Sequence, residues 1–178
     1  MTQNPAAGTL VGLGAHTITV TATDSATNHT DKTVTFTVVD STAPTITLNG
    51  NVITLWSPNH QYETVQVSDL VAGASDNCDA TLGLNSVYVS KVTSDETENG
   101  NGDGNTLNDI IIAADCKSVQ LRSERDGGGD GRVYTITFRV SDASGNTTRA
   151  TAKVVVAHNP GQTVVDSGVH YTVNSNCQ

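Results

Sequence analysis

The chain has 178 residues, of which 18 are acidic and 9 are lysine or arginine, so its formal net charge is −9. This balance excludes the basic footprint that nucleic-acid phosphates require, and it gives no attraction to an anionic membrane surface. Aromatic residues make up only 4% of the chain, whereas threonine and valine, which favour pleated strands, are abundant. The composition therefore predicts an all-β protein.

Neither a membrane span nor a leader is evident in the sequence. No apolar stretch approaches the roughly 20 residues needed to cross a bilayer. The opening MTQNPAAGTL has no basic n-region and no apolar h-region of a signal peptide. A mature chain without its leader, or a segment of a longer secreted protein, is expected to begin in the same way.

Residues 1–43 predict about three strands with one apolar face. Ile18, Val20 and Ala22 share one face of a first alternating run, and KTVTFTVV forms a second run of the same kind. The segment DSATNHTD between them predicts a turn, and TLVGL ahead of them predicts a further strand. Because three such strands form half of a sandwich, we expect a partial β-sandwich segment that needs a cover.

Residues 44–158 predict a second, larger domain, which begins at the linker proline Pro44. Its candidate strands are TITL, NVITLW, ETVQVSDL, NSVYVSKVT, DIIIAA, SVQLRS, GRVYTITFRVSD and RATAKVVVA. Eight short strands between turn-rich loops are typical of an antiparallel β-sandwich of immunoglobulin type. Tyr134, Ile136 and Phe138 alternate with polar residues and are expected in its core. Trp56, the single tryptophan, is expected in the core or at its rim.

The two parts contain an internal repeat. HTITVTATDSATNHTDKTVTFTVVD and YTITFRVSDASGNTTRATAKVVVA share a strand, an Asp-rich turn and a second strand, so that Asp24 matches Asp142 and Asn28 matches Asn146. The first segment therefore resembles the terminal hairpin of a preceding sandwich domain. Asp142 and Asn146 are expected to stabilise their turn through an Asx-type hydrogen bond.

Residues 159–178 form a C-terminal tail in which Val169, Tyr171 and Val173 alternate and predict one more strand. Such a strand is a possible donor strand, which would complete the sheet of a second copy and build a fibre by strand complementation. The alternatives are that it pairs within its own chain, or that both ends result from arbitrary cleavage.

The three cysteines show no CxxC pair, which argues against a tetrahedral zinc site. The simplest interpretation is a disulfide between Cys78 and Cys116, with Cys177 left over, and it favours an extracellular, oxidising location. A buried reduced pair stays open as the alternative.

Acidic loops predict a calcium site. Between Asp76 and Asp115 there are eight acidic residues and one basic residue, Lys91, and the loop ENGNGDGNTLNDI adds amides and glycines. Calcium takes six to eight oxygen ligands from such groups, and converging carboxylates repel by about 1 kcal/mol at 4 Å even in water. The candidate ligands are Asp76, Asp79, Asp95, Glu96, Glu98, Asp103, Asn105 and Asp109. The spacing is not that of an EF-hand, and the alternative is a solvated turn whose side chains cap local backbone.

Other polar segments predict structural roles. In SERDGGGDGR we expect Asp126 and Asp130 to pair with the neighbouring arginines. A linker calcium, as in cadherin-like arrays, is an alternative use of Asp24, Asp40 and Asp142. His60 is expected to make a structural hydrogen bond. No nucleophile elbow, zincin motif or phosphate loop is present, so we expect no enzymatic activity.

The hairpin segments resemble the closing hairpin of hyalin repeat domains, which runs G-x-H-x-V-x-x-x-A-T-D-x-x-G-N. The first hairpin matches at Gly14, His16, Thr23, Asp24 and Asn28 and has Thr27 in place of the usual glycine; the second, with ASGN after its aspartate, fits better. The middle of the chain, from LWSPNHQYETVQVSDLV onward, resembles modules near the ends of large bacterial secreted proteins.

The resemblance implies an immunoglobulin-like extracellular module associated with adhesion, which acts as a spacer, an adhesive surface or an assembly unit. Its expected partners are neighbouring domains of a larger surface protein or further copies of the chain, and we expect neither nucleic-acid binding nor membrane insertion. The alternative is a carbohydrate-binding module of a secreted enzyme, which is expected to expose aromatic residues.

Overall fold

The computed structural model describes residues 1–101 and 104–177. Contacts divide the chain into two compact units, Met1–Ser41 and Thr42–Gln178, which are described separately below. The division lies two residues before the one expected from the linker. Residues 159–178, expected as a separate tail, belong to the second unit. Nearly all regular structure is strand in largely antiparallel sheets, so the all-β prediction is confirmed.

The first unit is a three-stranded antiparallel sheet in the order β1-β2-β3. Its strands are β1 (Thr2–Asn4), β2 (Gly14–Thr23) and β3 (His29–Val38). The strand predicted at TLVGL is wrong. The hydroxyl of Thr9 donates to the carbonyl of Ala6 at 2.8 Å and closes a turn there, and Leu10 beyond it is 96% exposed. The long hairpin β2–β3, in contrast, forms as the alternation predicts.

The second unit contains every one of the eight predicted strands and the tail strand. Its elements are β4 (Thr45–Leu48), β5 (Ile53–Leu55), β6 (Tyr62–Gln66), α1 (Val67–Leu70), β7 (Val71–Ser75), β8 (Tyr88–Ser94), β9 (Ile110–Ile112), β10 (Ser118–Arg122), β11 (Gly131–Ser141), β12 (Thr147–Ala157) and β13 (Tyr171–Asn174). Two features differ from prediction. The segment ETVQVSDL ends in α1, whose start is fixed by a hydrogen bond from the Gln66 N–H to the Asp69 carboxylate at 2.8 Å. Strand β7, with the small-residue sequence VAGAS, was not predicted.

The strand pairing gives the immunoglobulin-like arrangement. Strand β4 pairs with β7 in a two-stranded sheet, and β6, β10 and β9 form a separate three-stranded sheet in the order β6-β10-β9. A five-stranded sheet in the order β13-β8-β11-β12-β5 shares one core with these strands, and its β8, β11 and β12 are adjacent in the order of strands C, F and G of the immunoglobulin fold. Of the strands in the described residues, only β5 runs parallel to its neighbour, β12. The sandwich prediction is confirmed.

The core lies on one face of β11, as the alternation predicts. Tyr134, Ile136, Phe138 and Val140 are each at most 1% exposed, and they pack with residues of the opposing sheet such as Leu121. Burying large apolar side chains in this way supplies most of the free energy that stabilises a sandwich. Trp56, expected in the core or at its rim, is instead 51% exposed.

The two long hairpins, β2–β3 and β11–β12, have the same turn. The Asp142 carboxylate accepts the backbone N–H groups of Ser144 at 2.9 Å and Asn146 at 2.8 Å, and the Asn146 side-chain amide at 2.9 Å. This is the Asx-type bonding predicted from the sequence. The Asp24 carboxylate makes the matching three bonds in the first hairpin, at 2.9, 2.9 and 3.0 Å.

The tail strand β13 pairs antiparallel with β8 of the same chain, with Tyr171 opposite Ser94 and Asn174 opposite Lys91. A disulfide joins Cys177 to Cys116, so the predicted Cys78–Cys116 pairing is wrong, and Cys78 lies exposed outside the disulfide. The sequence did not indicate that the tail folds back along β8 and carries Cys177 to the buried Cys116. Within one chain, the expected donor strand is therefore already paired.

Helices are confined to short turns. The described residues include no helix with the length and apolar character needed to cross a membrane.

Candidate functional site

The most unusual feature of the second unit is a buried cluster of ion pairs centred on Arg132 of β11. The Arg132 side chain is fully buried, and its Nε donates to Glu96 Oε2 at 2.9 Å. Its Nη1 donates to Asp109 Oδ2 at 2.5 Å and to the Tyr134 hydroxyl at 3.1 Å, and its Nη2 donates to the Thr97 carbonyl at 3.2 Å. One guanidinium therefore links β11 to the segments that follow β8 and precede β9.

A second guanidinium, that of Arg122 at the end of β10, lies beside the first. It stacks on the ring of Tyr62 at 4.2 Å from the centroid and donates to the Tyr62 hydroxyl at 2.7 Å. It also donates to the carbonyls of His60 at 3.0 Å and Leu107 at 2.8 Å, and its Nε lies 3.5 Å from Asp109 Oδ1. These contacts attach two segments to β10: the turn before β6 and the segment before β9.

Glu124 is the third carboxylate of the cluster and is fully buried, like Asp109. Its Oε2 accepts the hydroxyl of Thr106 at 2.5 Å and lies 3.2 Å from Nδ1 of His60. Its Oε1 lies 3.7 Å from Arg132 Nη1. The hydrogen bond expected for His60 is present.

The electrostatics of the cluster follow from burial and from close carboxylates. Burial, with a smaller contribution from the neighbouring Glu124, raises the pKa of Asp109 to about 7 against the opposing effect of Arg132. Burial likewise raises the pKa of Glu96, against the hydrogen bond from Arg132. Burial lowers the pKa of Arg132, but Tyr134 and the carboxylates outweigh it and raise that pKa above its usual range. Arg132 therefore stays charged.

Three of the predicted calcium ligands lie at the end of β8, where their oxygens already have donors. Asp95 is buried, and its carboxylate accepts the N–H groups of Val133 at 2.7 Å and Ser167 at 3.2 Å. Glu96 accepts Arg132, as described above. Glu98 Oε1 accepts the Asn108 N–H at 2.7 Å and the Tyr171 hydroxyl at 2.8 Å. The neighbouring cavity, about 610 Å³, is lined by Asp95, Glu96, Asp126, Asp130, Ser167 and His170.

The remaining loop ligands have different positions. Asp103 lies outside the described residues. Asn105 is exposed and has a positive φ of 55°. Because arginine side chains contact both oxygens of Asp109, we assign Asp109 to the ion-pair cluster rather than to a metal site.

Asp76 and Asp79 lie in a separate turn. Asp76 Oδ1 accepts the N–H groups of Cys78 at 2.8 Å and of Asp79 at 2.9 Å. Asp79 caps the Thr81 N–H at 3.0 Å and accepts the N–H of Ala143, beside the β11–β12 turn, at 3.2 Å. Among the described members of the set Asp76, Asp79, Asp95, Glu96, Glu98 and Asp109, no three bring carboxylate oxygens within 4.8 Å of one another. These six carboxylates are therefore not gathered at one point.

Sequence reasoning missed the cations of the cluster. It predicted that Asp126 and Asp130 pair with the neighbouring Arg122, Arg125 and Arg132. The structure instead pairs Arg122 with Asp109 and Glu124, and Arg132 with Glu96, Asp109 and Glu124. Asp130 instead accepts the N–H of Val165 at 2.8 Å. One signal in the sequence could have identified Arg132. The alternation of β11 places it on the same side as the core residue Tyr134, and an arginine on a buried face needs buried carboxylates as partners.

Comparison with known proteins finds no family model that matches the chain and no similar curated protein.

Proposed function

We propose that the chain is a structural module of an extracellular surface protein, with one complete sandwich and the closing hairpin of a neighbouring module. The observation that carries this proposal is the repeated hairpin. In β11–β12 the apolar face is covered by the opposing sheet, whereas in β2–β3 Val34 is 61% and Phe36 38% exposed. The open face supports an adjoining module as its cover.

Further features support an extracellular setting and a structural role. A disulfide between β13 and the β9–β10 turn is compatible with an oxidising compartment. The ion-pair cluster uses its charged groups to hold segments of its own chain together, which supports a structural role. The absence of enzymatic activity stays a prediction from the sequence.

A dye-binding experiment tests the open hairpin face. The purified chain is expected to bind 1-anilinonaphthalene-8-sulfonate, because the dye reports exposed apolar surface. Val34→Lys places a charge on that face and is expected to reduce the signal; Thr35→Lys, on the opposite face of the same strand, is the matched control. Absence of dye binding, or equal loss with both variants, contradicts the proposal.

Assembly through strand donation is the second form of this structural role. Because β13 already pairs with β8, donation requires the strand to leave its own sheet. Light scattering and electron microscopy over a concentration series test it. Oligomers that disappear when residues 159–178 are removed support donation, and a monomer at high concentration contradicts it.

Calcium stabilisation stays a prediction without assigned ligands. Calorimetric titration of calcium into chelator-treated chain tests it, together with the melting temperature. Heat of binding and a higher melting temperature support it; no heat and an unchanged melting temperature contradict it.

Carbohydrate binding is a second candidate function, favoured by the half-exposed indole of Trp56. Aromatic rings at a surface stack on sugar rings, and no other tryptophan is present to obscure its fluorescence. A glycan series that shifts this fluorescence supports binding. Tyr62→Phe, which keeps the indole, is the control and is expected to show the same shift. A glycan array without hits, and unchanged fluorescence, removes it.

A further inference from the structure

Among the residues that the structure describes, the ion-pair cluster contains more carboxylates than guanidinium groups. Glu96, Asp109 and Glu124 face the guanidinium groups of Arg122 and Arg132. With all five groups ionised, three negative charges meet two positive ones, and one negative charge is left over. Two of these carboxylates are fully buried, where an uncompensated charge costs the most free energy.

Two oxygens of the cluster show where the imbalance lies. Asp109 Oδ1 and Glu124 Oε1 are buried and, among the described residues, receive no hydrogen bond. Their nearest guanidinium nitrogens, at 3.5 Å and 3.7 Å, pair with them only electrostatically. A buried acceptor without a donor is costly, and two ionised carboxylates cannot supply a donor to each other. A proton on Asp109 would supply it, because the Asp109 and Glu124 side chains lie within hydrogen-bonding reach of each other.

The same groups fix the segment that covers them. The Thr106 hydroxyl donates to Glu124, Arg122 donates to the Leu107 carbonyl, and the Tyr62 hydroxyl donates to the Asn108 carbonyl at 2.6 Å. Thr106 therefore binds directly to Glu124, one member of the Asp109–Glu124 pair. A change in the charge of the pair therefore acts directly on residues 106–108.

Groups from every surrounding element face the pair. Beyond the two guanidiniums they are His60 and Tyr62 at the start of β6, Glu96 and Glu98 after β8, Tyr134 of β11 and Tyr171 of β13. Tyr134 and Tyr171 stay neutral, because burial raises the pKa of each, for Tyr171 to about 12. The Tyr62 hydroxyl donates to the Asn108 carbonyl and accepts from Arg122. His60 is half exposed and contacts Glu124 at the edge of the cluster.

We propose that the Asp109 carboxyl carries a proton at neutral pH and below and donates a hydrogen bond through it to Glu124, and that release of this proton loosens residues 106–108, so that the sandwich responds to pH at this end. The raised pKa of Asp109, about 7, gives the window. A folded-state pKa above the unfolded value stabilises the fold at low pH, and this contribution is lost as the pH rises through 7.

The test is the pH dependence of unfolding in the intact chain. One extra proton in the folded state predicts that the unfolding equilibrium constant rises about tenfold per pH unit between pH 5 and 7 and levels off above pH 8. Glu124→Gln replaces the proton with a permanent amide donor and is expected to remove most of this slope. Glu63→Gln, the same change at an exposed position of β6, is expected to leave the slope unchanged.

Two measurements on the unaltered chain hold even if Glu124→Gln fails to fold. Infrared spectroscopy is expected to show one protonated carboxyl group at pH 6 that disappears by pH 8. Amide exchange, corrected for its intrinsic pH dependence, is expected to accelerate at Asn108 by about tenfold over the same range. A Glu124→Gln slope equal to that of the native chain, full ionisation at pH 6, or unchanged Asn108 protection overturns the proposal.

Discussion

The hairpins β2–β3 and β11–β12 have the same turn but differ in burial. Their turn aspartates, Asp24 and Asp142, accept the same three hydrogen bonds. Yet Ile136 and Phe138 on the second hairpin are at most 1% exposed, whereas Val34 and Phe36 on the first are open to solvent. Local sequence is therefore sufficient to specify the hairpin, and the opposing sheet decides how much of its apolar face is buried.

Removal of the disulfide is expected to have the largest effect, and only in the second unit. Cys177→Ser opens a loop of sequence separation 61, for which chain entropy predicts a loss of about 4 kcal/mol in the free energy of unfolding. Denaturant titration followed by the fluorescence of Trp56 reports this unit. Cys78→Ser is the control, and a larger loss from Cys78→Ser than from Cys177→Ser would favour the pairing first predicted from the sequence.

Truncation of equivalent isoleucines in the two hairpins is expected to give the next largest difference in the free energy of unfolding. Ile136 and Ile18 occupy the same position relative to the turn aspartate. Ile136→Ala empties a fully buried site and is expected to cost about 3 kcal/mol, whereas Ile18→Ala, at a half-buried site, is expected to cost less than about 1 kcal/mol in its own unit. Trp56 fluorescence measures the first, and amide exchange in β2 measures the second. Equal losses would show that both faces are covered.

A reciprocal exchange in the two turns is expected to have a smaller effect. Gly145 has a φ of 89°, and the matching Thr27 has a φ of 69°, a conformation that is unfavourable for a β-branched residue. Gly145→Thr is expected to destabilise the second unit by about 1 kcal/mol, and Thr27→Gly to stabilise the first by a similar or smaller amount. Apart from Gly145 and its two chain neighbours, the described residues place no heavy atom within 4 Å of a Cβ at Gly145, so packing does not confound the result. Melting curves of each unit check both substitutions. If both raised or both lowered the melting temperature of their unit, the two turns would not share one conformation.

The acid response of the two turns is the smallest difference expected. Hydrogen bonds, first that from the Asn28 side chain, lower the pKa of Asp24. Burial raises the pKa of Asp142, but the bonds from Asn146 and the backbone outweigh it and lower that pKa. A lowered folded-state pKa stabilises the fold above the ordinary value of 3.8, and this contribution is lost as the pH falls below it. Acid titration of Asp24→Ala and Asp142→Ala is expected to show a weaker pH dependence below pH 4 than the native chain, and an unchanged dependence would contradict these shifts.

The sequence predicted the strands more completely than the site, for a physical reason. Alternation along β11 and β12 shows which face is buried, because the side-chain period of a strand is two. It could not show that β10 and β11 bring Arg122 and Arg132 to Asp109, since that contact depends on strand register across the sandwich. The acidic loop had few basic residues near it in sequence, because Arg122 and Arg132, which neutralise it, lie beyond residue 115. The position of Cys177 was likewise hidden, because it follows from the pairing of β13 with β8.

The central claim is that the second unit is a complete sandwich and that β2–β3 is a hairpin without its cover. Amide hydrogen exchange on the intact chain tests it most directly, because the β2–β3 and β11–β12 pairings can be compared amide by amide within one molecule. We expect the β11–β12 amides to exchange only through global unfolding, and the β2–β3 amides to exchange orders of magnitude faster. Equal protection in both hairpins would contradict the claim.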